Sequence, residues 1–242
     1  MNKFNFSVLQ HGQIGLKPDG TKKSWLEHRC TSVLIWPEDS TPSCENSVVT
    51  DPCFIGSGIK DAEAILEFLG LDFETIFEVF ITHRHFDHGI NLPRSQDDRE
   101  FDYFQPGKNP TLAGIKTIPC PGHSRDLKAL AFHSNTGQAV WIVGDAIIDR
   151  EWLLDWKYYW PNGYRRNEII QTWRSVGKII ASCGVIVPGH GSPFAVTYSL
   201  VEKLLLNFPS ARHFDECDDI LHLLEERLFQ LKGNKEKTKK KK

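Results

Sequence analysis

Residues 83–88 of this chain read His83, Arg84, His85, Phe86, Asp87 and His88, an H-x-H-x-D-H pattern. It sets three imidazoles and a carboxylate within six positions. Clustered imidazoles repel one another when protonated, and neutral ones waste buried polar groups unless something binds them. Imidazole nitrogens and carboxylate oxygens together suit zinc and similar divalent ions, so the chemistry this pattern points to is metal binding. A solvated His-rich turn is the plainer alternative for the stretch taken alone.

Three later fragments strengthen the case: Pro121-Gly122-His123-Ser124, Val143-Gly144-Asp145 and Val187-Pro188-Gly189-His190-Gly191. Each follows an apolar run. Alone, each is a common turn; together and in this order they are specific. Of ten histidines, five belong to this set: His83, His85, His88, His123 and His190. The others (His11, His28, His133, His213 and His222) have no partner ligand at metal spacing and are expected to be structural or solvent-facing.

On these residues the chain resembles the metallo-β-lactamase superfamily, over residues 47–194. The resemblance implies an α/β fold, a four-layer αββα sandwich of two mixed β-sheets flanked by helices. It implies one zinc held by His83, His85 and His123, and a second held by Asp87, His88 and His190. Asp145 would bridge the two. Iron or manganese could stand in for zinc, because the ligand types do not exclude them. Two adjacent cations would lower the pKa of a water from 15.7 toward about 7, so that hydroxide attacks at neutral pH, and would polarise the electrophilic oxygen. Asp87 and Asp145 are the expected catalytic residues, Asp87 from its position as a proton carrier as well as a ligand. In the resembled family a strand near residue 51 ends in an Asp that supports the site from outside the ligand set. Here Asp51 is followed by Pro52-Cys53 instead of Thr-Gly or Pro-Gly, so an ordinary turn aspartate is an equal reading.

The resemblance also narrows the chemistry. True β-lactamases of the superfamily lack the Asp at the position of Asp145 and are normally exported. Glyoxalase II-like thioesterases carry a larger C-terminal helical region than remains here after His190. Residues 185–194 look like the small stand-alone members, which include lactonase-like enzymes and an animal subgroup linked to RNA 3′-end processing. The expected activity is therefore hydrolysis of an ester, lactone or thioester by a dinuclear zinc enzyme. The alternatives are a metal-dependent nuclease or phosphodiesterase acting on RNA or a nucleotide, and a non-catalytic binding protein on the same scaffold. The last is disfavoured because all seven ligand positions are filled.

Behind these residues stand the elements that must place them. Residues 4–9 alternate apolar and polar, 31–36 form a β-branched apolar run and 47–51 a short strand ending in Asp51. Residues 12–24 read as a hairpin or loop. Ile59, Ala62, Ile65, Leu66 and Leu69 recur at helical spacing with Gly70 as a stop, and an apolar run at 76–81 then delivers the His motif. Strands follow at 115–118, 129–133 and 139–143, the last two joined by a turn at Asn135-Thr136-Gly137. Ile169, Ile170, Trp173, Val176, Ile179 and Ile180 mark one helix face, 185–187 a final strand, and 198–206 and 218–231 two closing helices. Residues 94–110 read as a long loop beside the site. Residues 151–164, rich in Trp and Tyr, border an apolar substrate site or fill core or a subunit interface.

Bulk properties agree with one domain over residues 1–231 and a disordered lysine-rich tail over 232–242. A chain of 242 residues can bury a substantial core. No apolar run is long enough for a membrane helix. The amino terminus shows no signal-peptide pattern, and six cysteines without C-x-x-C spacing suit free thiols in a reducing cytoplasm. Seven lysines against one glutamate give the last eleven residues +6, so the body carries −8 of the total −2. An acidic body is a poor platform for a phosphate backbone, which favours a small-molecule substrate over nucleic acid. A homodimer is allowed.

Overall fold

The computed structural model of the chain describes residues 2–17, 21–22, 28–76, 78–93, 110–156 and 164–239, the last helix with side chains to residue 233. Within them two sheets form. The first holds β1 (Phe4–Gln10), β2 (Ser32–Pro37), β3 (Val48–Thr50) and β4 (Glu78–Phe80), in that order. The second holds β5 (Lys116–Pro119), β6 (Lys128–His133), β7 (Ala139–Ile142), β8 (Val185–Val187) and β9 (Phe194–Ala195). Each sheet begins with antiparallel neighbours and then contains one parallel pair, β3 with β4 and β7 with β8. Parallel neighbours need a crossover. Helix α1 (Ser57–Phe68) supplies the first; α2 (Arg150–Asp155) and α3 (Arg166–Ser182) supply the second. Helices α4 (Tyr198–Asn207) and α5 (Asp218–Lys239) close the chain.

Side-chain alternation explains the layering. Successive strand residues point to opposite faces, and both faces here are apolar. On β2, Val33 and Ile35 enter a core shared with Leu130, Phe132, Val140 and Val187 of the other sheet. Leu34 and Trp36 face the other way, onto Ala62 and Leu66 of α1. On β6, Leu130 and Phe132 face the first sheet, while Ala129 and Ala131 meet the helical layer through Trp173, Val176 and Ile180 of α3. The result is the helix–sheet–sheet–helix sandwich expected from the sequence. The apolar stripe of α3 is buried as its periodicity required, and Trp156 meets Trp173 edge-on with ring centroids 5.3 Å apart.

Differences from expectation are local. Residues 13–17 and 21–22 form part of the expected hairpin, with Gln13 bridged to Arg29 and Leu16 to Lys22. Just before the aromatic stretch Asp149 caps the short helix α2, which runs into it and which periodicity did not reveal. Helical backbone in α5 continues to Lys239, through most of the stretch read as a disordered tail. Residues 94–109 of the long loop, and Tyr158, Tyr159 and Trp160 of the aromatic stretch, lie outside the described residues. All six cysteines are free thiols. Among the described residues no helix is long and apolar enough to cross a membrane.

Candidate metal centre

Both parallel strand pairs end on the same side of the molecule, and the singled-out residues come off those ends. Asp51 follows β3, the His motif follows β4, Asp145 follows β7 and His190 follows β8. His123 lies in the turn between β5 and β6. Loops at the carboxyl ends of strands are where α/β folds build sites. After β4 the chain bends into a short 3-10 turn, Phe86–His88, which swings His83, His85 and His88 toward one point while Phe86 projects outward. The turn carrying His123 docks on α3, where Ser175 Oγ donates to the Pro121 carbonyl at 2.7 Å. Gly122 is required there: its φ is +139°, and a Cβ would strike the backbone of Thr172.

All seven predicted residues meet. Asp145, 1% exposed, lies at the centre with one carboxylate oxygen toward each group of rings. Its Oδ1 is 3.2 Å from His88 Nε2 and 3.3 Å from His190 Nε2. Its Oδ2 is 3.3 Å from His123 Nε2 and 3.9 Å from His83 Nε2. Asp87 Oδ2 closes the first set, 3.3 Å from His190 Nε2 and 4.0 Å from His88 Nε2. Ligands about 2.1 Å from a tetrahedral ion stand roughly 3.4 Å apart, and the separations of 3.2–3.3 Å within each set are close to that spacing. His85 joins the other set, its Nδ1 2.8 Å from His123 Nε2, a hydrogen-bond contact between the two rings. The ligand atoms of His83, His85, His123 and Asp145 lie within 4.8 Å of one another, as do those of His88, Asp145 and His190.

The outer nitrogens of the rings are held, which leaves the inner ones facing the cage. His88 Nδ1 is 2.8 Å from Asp51 Oδ2, and His190 Nδ1 is 2.8 Å from the Arg29 carbonyl oxygen. His83 Nδ1 is 3.1 Å from Thr82 Oγ1, and His123 Nδ1 is 2.7 Å from the Tyr164 hydroxyl. Such partners fix tautomer and ring orientation in metal sites. The inward Nε2 atoms of His83, His88 and His190 are buried and make no hydrogen bond. Buried polar atoms without a well-formed hydrogen bond are costly, and here three converge beside carboxylates, a donor set that fits a bound cation. Asp51 also accepts from the Thr82 amide (2.7 Å) and hydroxyl (2.8 Å), and sits at φ +42°. A non-glycine residue held in that region is strained, and its hydrogen bonds are what hold it there.

The electrostatics divide the rings. Burial pushes His83 down, aided by the neighbouring His88, and pushes His123 down to about 4 against the pull of Asp145. For His190, burial is outweighed by the carboxylates of Asp145 and Asp87, which lift it to about 9; His88 is likewise raised by Asp145 and Asp51. Burial would raise Asp145 and Asp87, but the surrounding imidazoles hold both carboxyls well below their ordinary range.

Two residues of the site escaped the motif reading. His28, expected to be structural or solvent-facing, instead lies 2.8 Å through Nε2 from Asp87 Oδ2 and stacks on the His190 ring at 4.6 Å. Tyr164 was placed only within a stretch bordering the pocket; its hydroxyl holds His123. Beside Asp87 opens a cleft of about 690 Å³, walled by Cys53, Ile55, Phe86 and Ile90, with His28, Arg29 and Asn91 as its polar edge.

Comparison with solved structures fits this architecture. A candidate metallo-β-lactamase from Thermotoga maritima shares 17% identity, covers 80% of this chain and 99% of its own, and superposes with a TM-score of 0.52. The chain has the metallo-β-lactamase fold. The same fold is shared with an N-acyl homoserine lactone hydrolase solved with N-hexanoyl-L-homoserine at its catalytic metal centre (14% identity, 78% and 92% covered, TM-score 0.51). It is shared too with a variant of the B. thuringiensis protein AiiA holding N-decanoyl-L-homoserine at its active site (15%, 78% and 92%, 0.51). No protein-family model matches the sequence, and no curated protein does. At these identities the metallo-β-lactamase fold is what is held in common.

Proposed function

We propose that the chain is a metal-dependent hydrolase that holds two zinc ions and cleaves an ester, lactone or thioester in a small molecule. The observation that carries this is Asp145. Its two oxygens face two separate sets of imidazoles, and three of those rings turn inward buried Nε2 atoms that make no hydrogen bond. His83, His85 and His123 would hold one ion and Asp87, His88 and His190 the other, with Asp145 between them. Two such ions, when bound, acidify water and polarise the electrophilic oxygen. The chain's own residues do the rest. Asp51, Thr82, Arg29 and Tyr164 orient the rings. Burial of Asp145 keeps bulk water off its carboxylate. Asp87, a quarter exposed on the cleft side, is the carboxylate through which a proton leaves to solvent. The cleft walled by Ile55, Phe86 and Ile90 is mainly apolar, which suits the acyl side of such a substrate. The two lactone-hydrolase neighbours support the same chemistry.

The test is metal content with turnover. Protein produced with ample zinc should carry two ions per chain and hydrolyse at least one member of an ester, lactone and thioester panel. Asp145→Ala should lower kcat/KM on the order of 1,000-fold, since several kcal/mol of charge stabilisation depend on both ions. Turnover confined to phosphodiesters would move the reading to a nuclease. A chain without metal would end it.

A further inference from the structure

Asp87, like His85, is only partly buried, whereas the other candidate ligands are buried. The rings beside it are buried, and each has a partner on its outer nitrogen, whereas Asp87 stands on a 3-10 turn at the rim of a cleft. A carboxylate in that place can rotate toward water unless something opposes it. Besides His190 within the cage, His28 does so from the outer side. His28 Nε2 lies 2.8 Å from Asp87 Oδ2, a hydrogen-bond separation. Its ring also lies against the face of His190, with centroids 4.6 Å apart and planes inclined by 28°. Ligand atoms of His28, Asp87 and His190 lie within 4.8 Å of one another. The direct contact of His28 with the Asp87 carboxylate makes it that carboxylate's hydrogen-bond partner, and a side chain 47% exposed sits at the rim, where it braces the cage.

The backbone beside His28 serves the same end. The carbonyl of Arg29 accepts from His190 Nδ1, and the Thr31 amide donates to the carbonyl of Gly189 at 2.6 Å. Residues 28–31 therefore reach His190 through main chain and Asp87 through a side chain. Three other histidines outside the motif do otherwise: His11 Nδ1 is paired with Ser192 Oγ, His213 with Glu216 and His222 with Glu226.

We propose that His28 is a positioning residue for the second metal position, fixing Asp87 by a hydrogen bond and His190 by stacking. The inference rests on the dinuclear reading above and adds to it an asymmetry between the two ions. Outer supports of this kind are worth on the order of 10- to 100-fold in metal affinity. Removing His28 should weaken one ion and spare the other.

Cobalt(II) titration of the metal-free protein, followed by its visible absorption and by calorimetry, is the test. The wild type should bind two ions in resolvable steps. In His28→Ala one step should keep its spectrum and affinity, while the other loses 10- to 100-fold. His28→Gln, which keeps an N–H donor but no stacking ring, should recover part of that loss. The His28 side chain is 47% exposed, so truncation opens no core cavity, and thermal unfolding of the metal-free variants should match the wild type. Two unchanged steps in His28→Ala would overturn the positioning role while leaving the dinuclear reading intact. Equal weakening of both steps, or a lowered melting temperature without metal, would also overturn it, as general destabilisation. Fewer than two ions in the wild type would instead remove the reading on which it stands.

Discussion

At the scale of single residues, the metal-free site stores protons that a cation must displace. His190 is lifted to about 9 and His88 is raised well above its ordinary value, both by carboxylates that outweigh burial. At pH 7.5 His190 is therefore protonated, and a ligating imidazole must be neutral. Zinc loading at that pH should release at least one proton per chain, and affinity should rise with pH until His190 titrates near 9. Calorimetry in two buffers of different ionisation enthalpy measures the release; identical heats would contradict the assigned protonation. Space is as tight as charge. A Cβ on Gly189 would collide with the Asp145 carboxylate, so Gly189→Ala should cost the bridge. The expected result is metal content below two per chain and activity down on the order of 100-fold, with helical circular dichroism kept. Full metal content in Gly189→Ala would show that the carboxylate has another place to go.

At the scale of elements, α3 does more than fill the layer over the second sheet. Its Ser175 and Thr172 seat the turn that carries His123, and its Trp173 is 2% exposed against Trp156. Trp173→Ala should cost about 3–5 kcal/mol in urea unfolding, from lost burial and the cavity left behind. Arg174→Ala, one position on, removes only an exposed pair with Asp219 at 3.2 Å and should cost under about 1 kcal/mol. Equal losses at the two positions would refute the assignment of faces. This helix was readable in the sequence because a 17-residue element repeats its apolar stripe several times. The six residues of α2 and the two of β9 are too short to show any period, and they were missed. The site divides the same way. Residues 83–88 are contiguous and follow an apolar strand, so their chemistry could be read directly. His28 lies 59 positions from Asp87 and Tyr164 lies 41 from His123, and no local pattern ties such pairs together. In the lysine-rich stretch composition argued for a solvated coil, while helical backbone begun at Asp218 runs on to Lys239, since extension adds one hydrogen bond per residue.

At the scale of the whole molecule, the two sheets are joined by an apolar core along their length and by the candidate metal centre at one end. The donors divide accordingly: His83, His85, Asp87 and His88 come from the first sheet's side, and His123, Asp145 and His190 from the second's. Ions bound there would tie the two halves at the edge where loops, not strands, make the contact. Because an ion held by the folded state and not by the unfolded chain stabilises by mass action, free zinc at 1,000 times its dissociation constant contributes about 4 kcal/mol. For a chain of this length that corresponds to roughly 10 °C in melting temperature. Chelation should therefore lower the melting temperature by about that amount, and it should do so unevenly. Amide exchange should quicken in residues 82–91 and 187–191, while β6, β7 and α3, packed on both sides, keep their protection. Uniform quickening would mean that the ions hold up the whole core, and none at all would mean that they do not join the sheets; only a change confined to the loop edge fits donors divided between two halves that already pack without them.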